Sequence, residues 1–202
     1  MKKGFKVSIL FVTIALPIAI FLFLKYYGEN QFDIPIYYQE EDTVMDADCG
    51  IMSFPYIVPR FETFTNDSLI LPKIELADIN LFSILPNEKA IRETLNQIDR
   101  LKATFGYQSQ VKFFLLQIGD IKLPSIEKYE NILSHEGVFN FVKCGLLVQT
   151  YFDITNETKH FTTGYAVLVD KDRRIRGYYE ISDREEVDRV ISEIDILLKF
   201  GY

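Results

Sequence analysis

The spacing of apolar residues switches between two periods along the chain, and the switches mark the elements. Residues 165–169 form an unbroken apolar, β-branched run, residues 170–174 a charged turn, and residues 175–179 resume strand-like composition, which predicts a β-hairpin over 164–180. The first strand is apolar on consecutive positions, as a strand covered on both faces would be. The second carries Arg174 and Arg176, as a more exposed strand would. Behind it Val187, Val190, Ile191, Ile194, Leu197 and Leu198 recur at three and four residues up to Phe200. This predicts a helix with one apolar stripe, opened by Ser182 and Glu185 in capping-box spacing.

Upstream, residues 57–82 read as two short strands around the turn Asn66-Asp67-Ser68, then a longer strand over 74–82 suited to the centre of a sheet. Residues 83–89 break it. A helix follows with Ala90, Ile91, Thr94, Leu95, Ile98, Leu101 and Phe105 on one face, and residues 111–118 are the next apolar strand. Pro124 opens a further predicted helix carrying Ile126, Tyr129, Ile132 and Leu133. Strand, helix, strand, helix, hairpin, helix is the order of a thioredoxin-like α/β domain, a central mixed sheet flanked by helices, here over 57–202. Phe61, Phe64, Phe82, Phe113, Phe114, Phe139 and Phe141 fall within strand readings and are packing residues.

The first part of the chain has a different character. Residues 7–24 contain no charge and follow Lys2, Lys3 and Lys6, which predicts a membrane-spanning helix near the lower length limit, with Pro17 tolerated inside it. No small-x-small cleavage site follows, Lys25-Tyr26-Tyr27 resembles an interfacial anchor, and no cysteine stands close behind the run as in a bacterial lipoprotein. Residues 1–26 are therefore expected to be an uncleaved signal anchor held in the inner membrane through residues 7–24. The positive-inside rule places the rest outside the cytoplasm, on the periplasmic side. Residues 27–56 show no sustained period and include Pro35, Pro55 and the acids Glu40, Glu41, Asp42, Asp46 and Asp48. They predict an extracytoplasmic tether or a strap across the domain surface. The acids lack the regular alternation and turn glycine of a calcium loop.

Composition narrows the partners. At 202 residues and 48% hydrophobic the chain can bury one core of ordinary size. All four cations of residues 1–26 stand without an acid, so the remainder is more acidic than the whole-chain net charge of −7. An anionic domain with no basic stripe interleaved with aromatics excludes nucleic acid as a partner.

Ile57-Val58-Pro59-Arg60-Phe61, Thr65-Asn66-Asp67 and the hairpin residues 168–170 and 175–179 together resemble segments of the Sco/SenC family of membrane-anchored, thioredoxin-like copper chaperones. Ile57-Val58-Pro59-Arg60-Phe61 is similar to the family's Ile-Pro-Asp-Phe segment, and Thr65-Asn66-Asp67 to its following turn. Leu168-Val169-Asp170 with Ile175-Arg176-Gly177-Tyr178-Tyr179 is similar to its Leu-Val-Asp and Ile-Arg-Gly-Tyr-Tyr hairpin, the most specific of the three. The resemblance implies a role in cytochrome oxidase assembly, delivering copper or reducing thiols at a respiratory oxidase subunit.

The resemblance also implies a site, which this sequence lacks. Where the family carries Cys-Pro-x-x-Cys after its central strand, this chain has Leu85-Pro86-Asn87-Glu88-Lys89. The family's histidine before the hairpin falls on Thr162, with His160 two residues earlier, about 6.6 Å along a strand. Leu85, Lys89 and Thr162 are thus degenerate positions. Neither Leu85 nor Lys89 can ligate Cu(I) or exchange a disulfide. The family's Asp-Pro and Asp-Thr-Pro loop retains only its last proline, at Pro124.

Other groups remain open. Cys49 and Cys144 are too far apart in sequence for a Cys-x-x-Cys pair. In an oxidising compartment they form one structural disulfide tying tether to domain, or stay isolated thiols. His160, beside Lys159, reads as a loop histidine first and a weak metal candidate second; His135 reads as a helix C-terminal partner. The sequence thus points to a non-catalytic accessory or assembly factor that binds a protein and holds no cofactor. Two alternatives stand beside it: copper held by relocated ligands among Met45, Cys49, Met52, Cys144 and His160, and thiol-disulfide exchange by Cys49 and Cys144.

Overall fold

The computed structural model describes residues 3–27, 34–40, 49–50, 52–64, 74–85, 91–118, 129, 131–134, 137–148, 150–153, 158–161 and 164–201. For 3–11, 24, 26–27, 150–153 and 158–161 it describes the backbone alone. The chain divides into two compact units, Met1–Asp33 and Ile34–Tyr202.

The described residues of the first unit form α1 (Lys3–Tyr27), with Pro17 inside it. Its large apolar side chains between Val12 and Phe23 are exposed. Among the described residues no helix is long and apolar enough to cross a membrane.

The second unit is built on a sheet. Its elements are β1 (Ile79–Ile84), α2 (Ile91–Phe105), β2 (Val111–Gln117), β3 (Ile132–Ser134), α3 (Gly137–Asn140), β4 (Thr150–Asp153), β5 (Thr158–Phe161), β6 (Tyr165–Asp170), β7 (Ile175–Glu180) and α4 (Arg184–Phe200). Five strands pair in the order β3-β2-β1-β6-β7, and β4 and β5 make a separate hairpin. β1 and β2 are parallel, as are β2 and β3, whereas β6 is antiparallel to both β1 and β7. Parallel β1 and β2 require a crossover, and α2 supplies it.

Both faces of the sheet are covered, which is why β1 is buried at every position. On one face Leu81, Phe113, Leu115 and Leu168 pack with α2 residues Leu95, Ile98 and Leu101 and α4 residues Val187, Val190 and Ile194. On the other, Phe82, Phe114, Val167 and Val169 pack with Tyr56, Val58 and Phe61 of the preceding segment and with Phe141, Val142 and Leu146. Tyr38 and the described residues from Met52 to Phe64 therefore run as a strap over this second face, whereas Ile34 packs in the first core. Phe82 stacks on Phe114 at 4.8 Å and meets Phe141 edge-on at 5.5 Å.

The hairpin expected over 164–180 is present, with its turn fastened by Asp170. One carboxylate oxygen of Asp170 accepts the backbone N–H of both Asp172 and Arg174 at 2.9 Å, and Arg173 takes φ 61°. The α2 stripe is buried at Ile91, Thr94, Leu95, Ile98, Leu101 and Phe105 as the spacing requires.

Five local expectations are corrected. The central strand begins at Ile79, not 74, because the Asn80 side chain both donates to and accepts from the Ala77 backbone at 2.8 Å and turns the chain there. Phe61–Phe64 is a 3₁₀ turn rather than a strand, burying Phe61 against Phe141 at 5.3 Å. Ile132 and Leu133 lie in β3, paired with Leu115 and Leu116, not in a helix; residues 119–128, including Pro124, lie outside the described residues. The cap of α4 is Asp183, whose carboxylate accepts the Glu185 N–H at 2.9 Å, while Ser182 turns to Glu180. Arg176 is not exposed: 2% of its surface is accessible, and it faces Asp170, itself 2% exposed. The predicted turn at Asn66-Asp67-Ser68 lies outside the described residues.

Candidate functional site

The carboxyl end of β1 is where the resemblance puts the first thiol. Leu85 there is 2% exposed and belongs to the apolar core beneath α2 and α4. Its N–H donates to the Leu116 carbonyl at 3.0 Å, which extends the β1–β2 ladder by one step. The side chain offers no donor atom and lies in the apolar core, so the position does not fit copper or thiol chemistry. Pro86, Lys89 and Thr162 lie outside the described residues, as do Met45 and His135. His160 stands in β5, paired with Tyr151, and not in a loop; β-pairing overrides the polar composition that read as irregular.

Cys49 and Cys144 are brought together and joined by a disulfide, with Cα atoms 5.3 Å apart. Both residues are half-buried. The two thiolates that relocated copper ligation would need are thus bonded to each other. Among the described residues no group of three His, Cys, Asp or Glu side chains could hold a metal ion.

Cys144 sits in a π-helical turn, Phe141–Gly145. Gly145 is required there, since a β-carbon would meet the Phe141 ring at 2.6 Å. The carbonyls leaving the turn are claimed by tyrosines from elsewhere in the chain. The Tyr56 hydroxyl donates to the carbonyls of Cys144 and Gly145 at 2.7 and 2.9 Å. The Tyr178 hydroxyl bonds the Leu146 carbonyl at 2.9 Å and the Tyr38 hydroxyl at 3.3 Å. Tyr37 meets Tyr178 edge-on at 5.5 Å, and Tyr38 meets Tyr56 at 6.3 Å. Burial, with neighbouring Tyr38 adding to it, raises the phenol pKa of Tyr56 and of Tyr178 well above the ordinary value. This cluster escaped the sequence reading. Its signal was the Tyr37-Tyr38 doublet in a segment lacking any period, in a chain with 12 tyrosines and no tryptophan.

A second buried group supports the hairpin. Arg176 and Asp170 form an ion pair at 3.5 Å, each side chain 3% exposed. Burial raises the Asp170 pKa, opposed by the N–H of Arg174 and the Arg176 charge. On the strap side, a cavity of about 510 Å³ opens between the 3₁₀ turn and the start of β1, floored by Phe61, Phe82 and Phe141 and rimmed by Arg60, Glu75 and Arg173.

Strand order and direction define the class. Around β1, the sequence β2-β1-β6-β7 with β6 antiparallel, a crossover helix between β1 and β2, and a helix after the hairpin is the thioredoxin-like α/β arrangement. Among solved structures, the chain is similar to a SCO1/SenC family lipoprotein from Bacillus anthracis str. Ames, at 13% identity and TM-score 0.44, covering 60% of this chain and 82% of that one. It is also similar to the bacterioferritin comigratory protein of Xanthomonas campestris, whose structures address alkyl peroxide reduction, at 8% identity and TM-score 0.41, covering 59% and 77%. No family model and no curated protein matches the sequence.

Proposed function

We propose that the chain is a membrane-anchored, extracytoplasmic accessory protein of Sco/SenC type that has kept the scaffold, lost the copper site, and acts by binding a protein partner. The observation that carries this reading is Leu85. At the position that resembles the family's first cysteine, an apolar side chain is sealed in the core with its N–H already engaged. The hairpin that most resembles the family is meanwhile fully supported, by Asp170, Arg176 and the tyrosines. Residues 7–24 serve as the inner-membrane anchor, and a respiratory oxidase subunit is the partner that the resemblance suggests.

The test is copper retention by the full chain in detergent. With the disulfide intact, Cu(I) passes quantitatively to a competing chelator; one retained equivalent overturns the reading. Cross-linking in membranes from the source cell then captures a respiratory-complex subunit, and extraction at alkaline pH leaves the chain in the membrane.

A further inference from the structure

The cavity of about 510 Å³ on the strap side has the size of a small-molecule site. It opens at the amino end of β1, beside Ala77 and Asp78, whereas Leu85 follows the carboxyl end. Its floor is aromatic: Phe141 meets Phe61 at 5.3 Å and Phe82 at 5.5 Å, both edge-on, a surface that suits a planar ring. Two guanidinium groups stand on its rim. Arg60 is exposed, and among the described residues its side chain has no hydrogen-bond or ion-pair partner. Arg173 is half-buried and takes φ 61°, in the left-handed region that glycine enters more readily. From there its Nη1 donates to Val58 O at 3.3 Å, which folds the guanidinium back over the strap segment that carries Arg60. The acids of the lining are engaged elsewhere. Glu62 accepts the Ile74 N–H at 3.2 Å, Asp78 accepts from Gln110 at 3.3 Å, and exposed Glu75 carries the Lys112 ammonium on its carbonyl at 2.7 Å. Arg60 and the rest of the Arg173 fork are left for a ligand.

We propose that this cavity binds a small carboxylate carried on a planar apolar ring, the ring against Phe61, Phe82 and Phe141 and the carboxylate on Arg60 and Arg173. A guanidinium presents its N–H groups as a fork that matches the two oxygens of a carboxylate, and the aromatic floor removes the ring from water. The charge sets the orientation, since the cations stand on the rim and the floor has none. Arg60 belongs to the strap and Arg173 to the hairpin turn, so a bound carboxylate also joins the two. This site goes beyond the accessory function and does not depend on it, because it lies at the other end of β1 from Leu85 and involves no metal or protein partner.

The experiment titrates naphthoate into the full chain in a nonionic detergent, by calorimetry against a detergent blank. Naphthoate binds one to one, while naphthylmethylammonium, a similar ring with the opposite charge, binds about tenfold or more weakly. Arg60→Gln weakens naphthoate about tenfold, and so does Arg173→Gly, which suits φ 61° and removes the guanidinium without straining the turn. Arg184→Gln, at an exposed arginine opening α4, leaves the affinity unchanged. The proposal is overturned if naphthoate fails to saturate the chain below about 1 mM. It is overturned equally if the ammonium binds as well as the carboxylate, if neither rim variant weakens binding, or if Arg184→Gln weakens it as much as Arg60→Gln. Thermal midpoints are measured alongside. Arg60→Gln, at an exposed side chain with no partner among the described residues, keeps the midpoint of the parent chain, so its affinity reads the site even where Arg173→Gly lowers stability.

Discussion

The ring of Tyr179 lies against the Cα of Gly177. A β-carbon at 177 would overlap the Tyr179 hydroxyl and Cζ and stand 2.8 Å from Cε2. The ring continues to α4, where its hydroxyl donates to Glu193 and the Arg189 guanidinium stacks on it at 4.6 Å. The Gly-Tyr-Tyr run is thus a packing device: glycine leaves room for one tyrosine on one face, and Tyr178 serves the other.

Gly177→Ala therefore destabilises the domain by about 1–3 kcal/mol, through overpacking and not through backbone strain. In a cycle with Tyr179→Ala the two penalties are less than additive, because the ring that collides is gone. Denaturant midpoints of the four proteins measure this.

Removing one partner of the Asp170–Arg176 pair leaves a buried charge. Arg176→Ala costs about 3–5 kcal/mol at neutral pH. The folded pKa of Asp170 is raised, so protonation favours the folded state, and the stability gained from it is full below the ordinary carboxylate value and is lost as pH rises from there through the raised folded value. The Arg176→Ala penalty consequently shrinks on acidification toward about pH 4. Unfolding curves at neutral and acidic pH compare the two.

Tyr56, Tyr178 and Tyr179 all have raised phenol pKa values, from burial first, with Tyr38 beside the first two and Glu193 beside the third. Below the ordinary value of about 10 their contribution to stability is complete; above it the unfolded chain releases three protons that the folded chain keeps. Stability then falls by about 4 kcal/mol per pH unit. A phenolate absorbance titration shows these three ionising together with unfolding, after the exposed tyrosines.

Leu85→Ala removes a fully buried side chain from the core and costs about 2–5 kcal/mol. If the position were instead an open site, the change would be near neutral in thermal denaturation, and the proposed loss of the family site would fail with it.

The regular parts of this fold were legible because their residues carry a period: the α2 and α4 stripes, the buried β6 run and the turn built on Asp170. Short elements were not. Three residues, Ile132–Ser134, cannot display a helical or strand period, and only the partner strand β2 decides between them. Arg176 read as exposed because nothing local announces Asp170 six residues earlier as its partner. At the candidate site, the absence of donor atoms at Leu85 was legible from residue type alone, but its burial was not. The joining of Cys49 to Cys144 and the convergence of Tyr38, Tyr56 and Tyr178 are long-range facts, set by how the strap crosses the sheet.

The strap has one more effect, on β7. That strand lies at the margin of the sheet, where free carbonyls and N–H groups invite pairing with another chain. Here the Ile175 carbonyl is already occupied by Tyr37 and the Tyr178 carbonyl by Arg189 at 3.0 Å. A second molecule adding a strand would first have to displace both, so the same tyrosine that holds the strap also guards the domain against growing into a continuous intermolecular sheet.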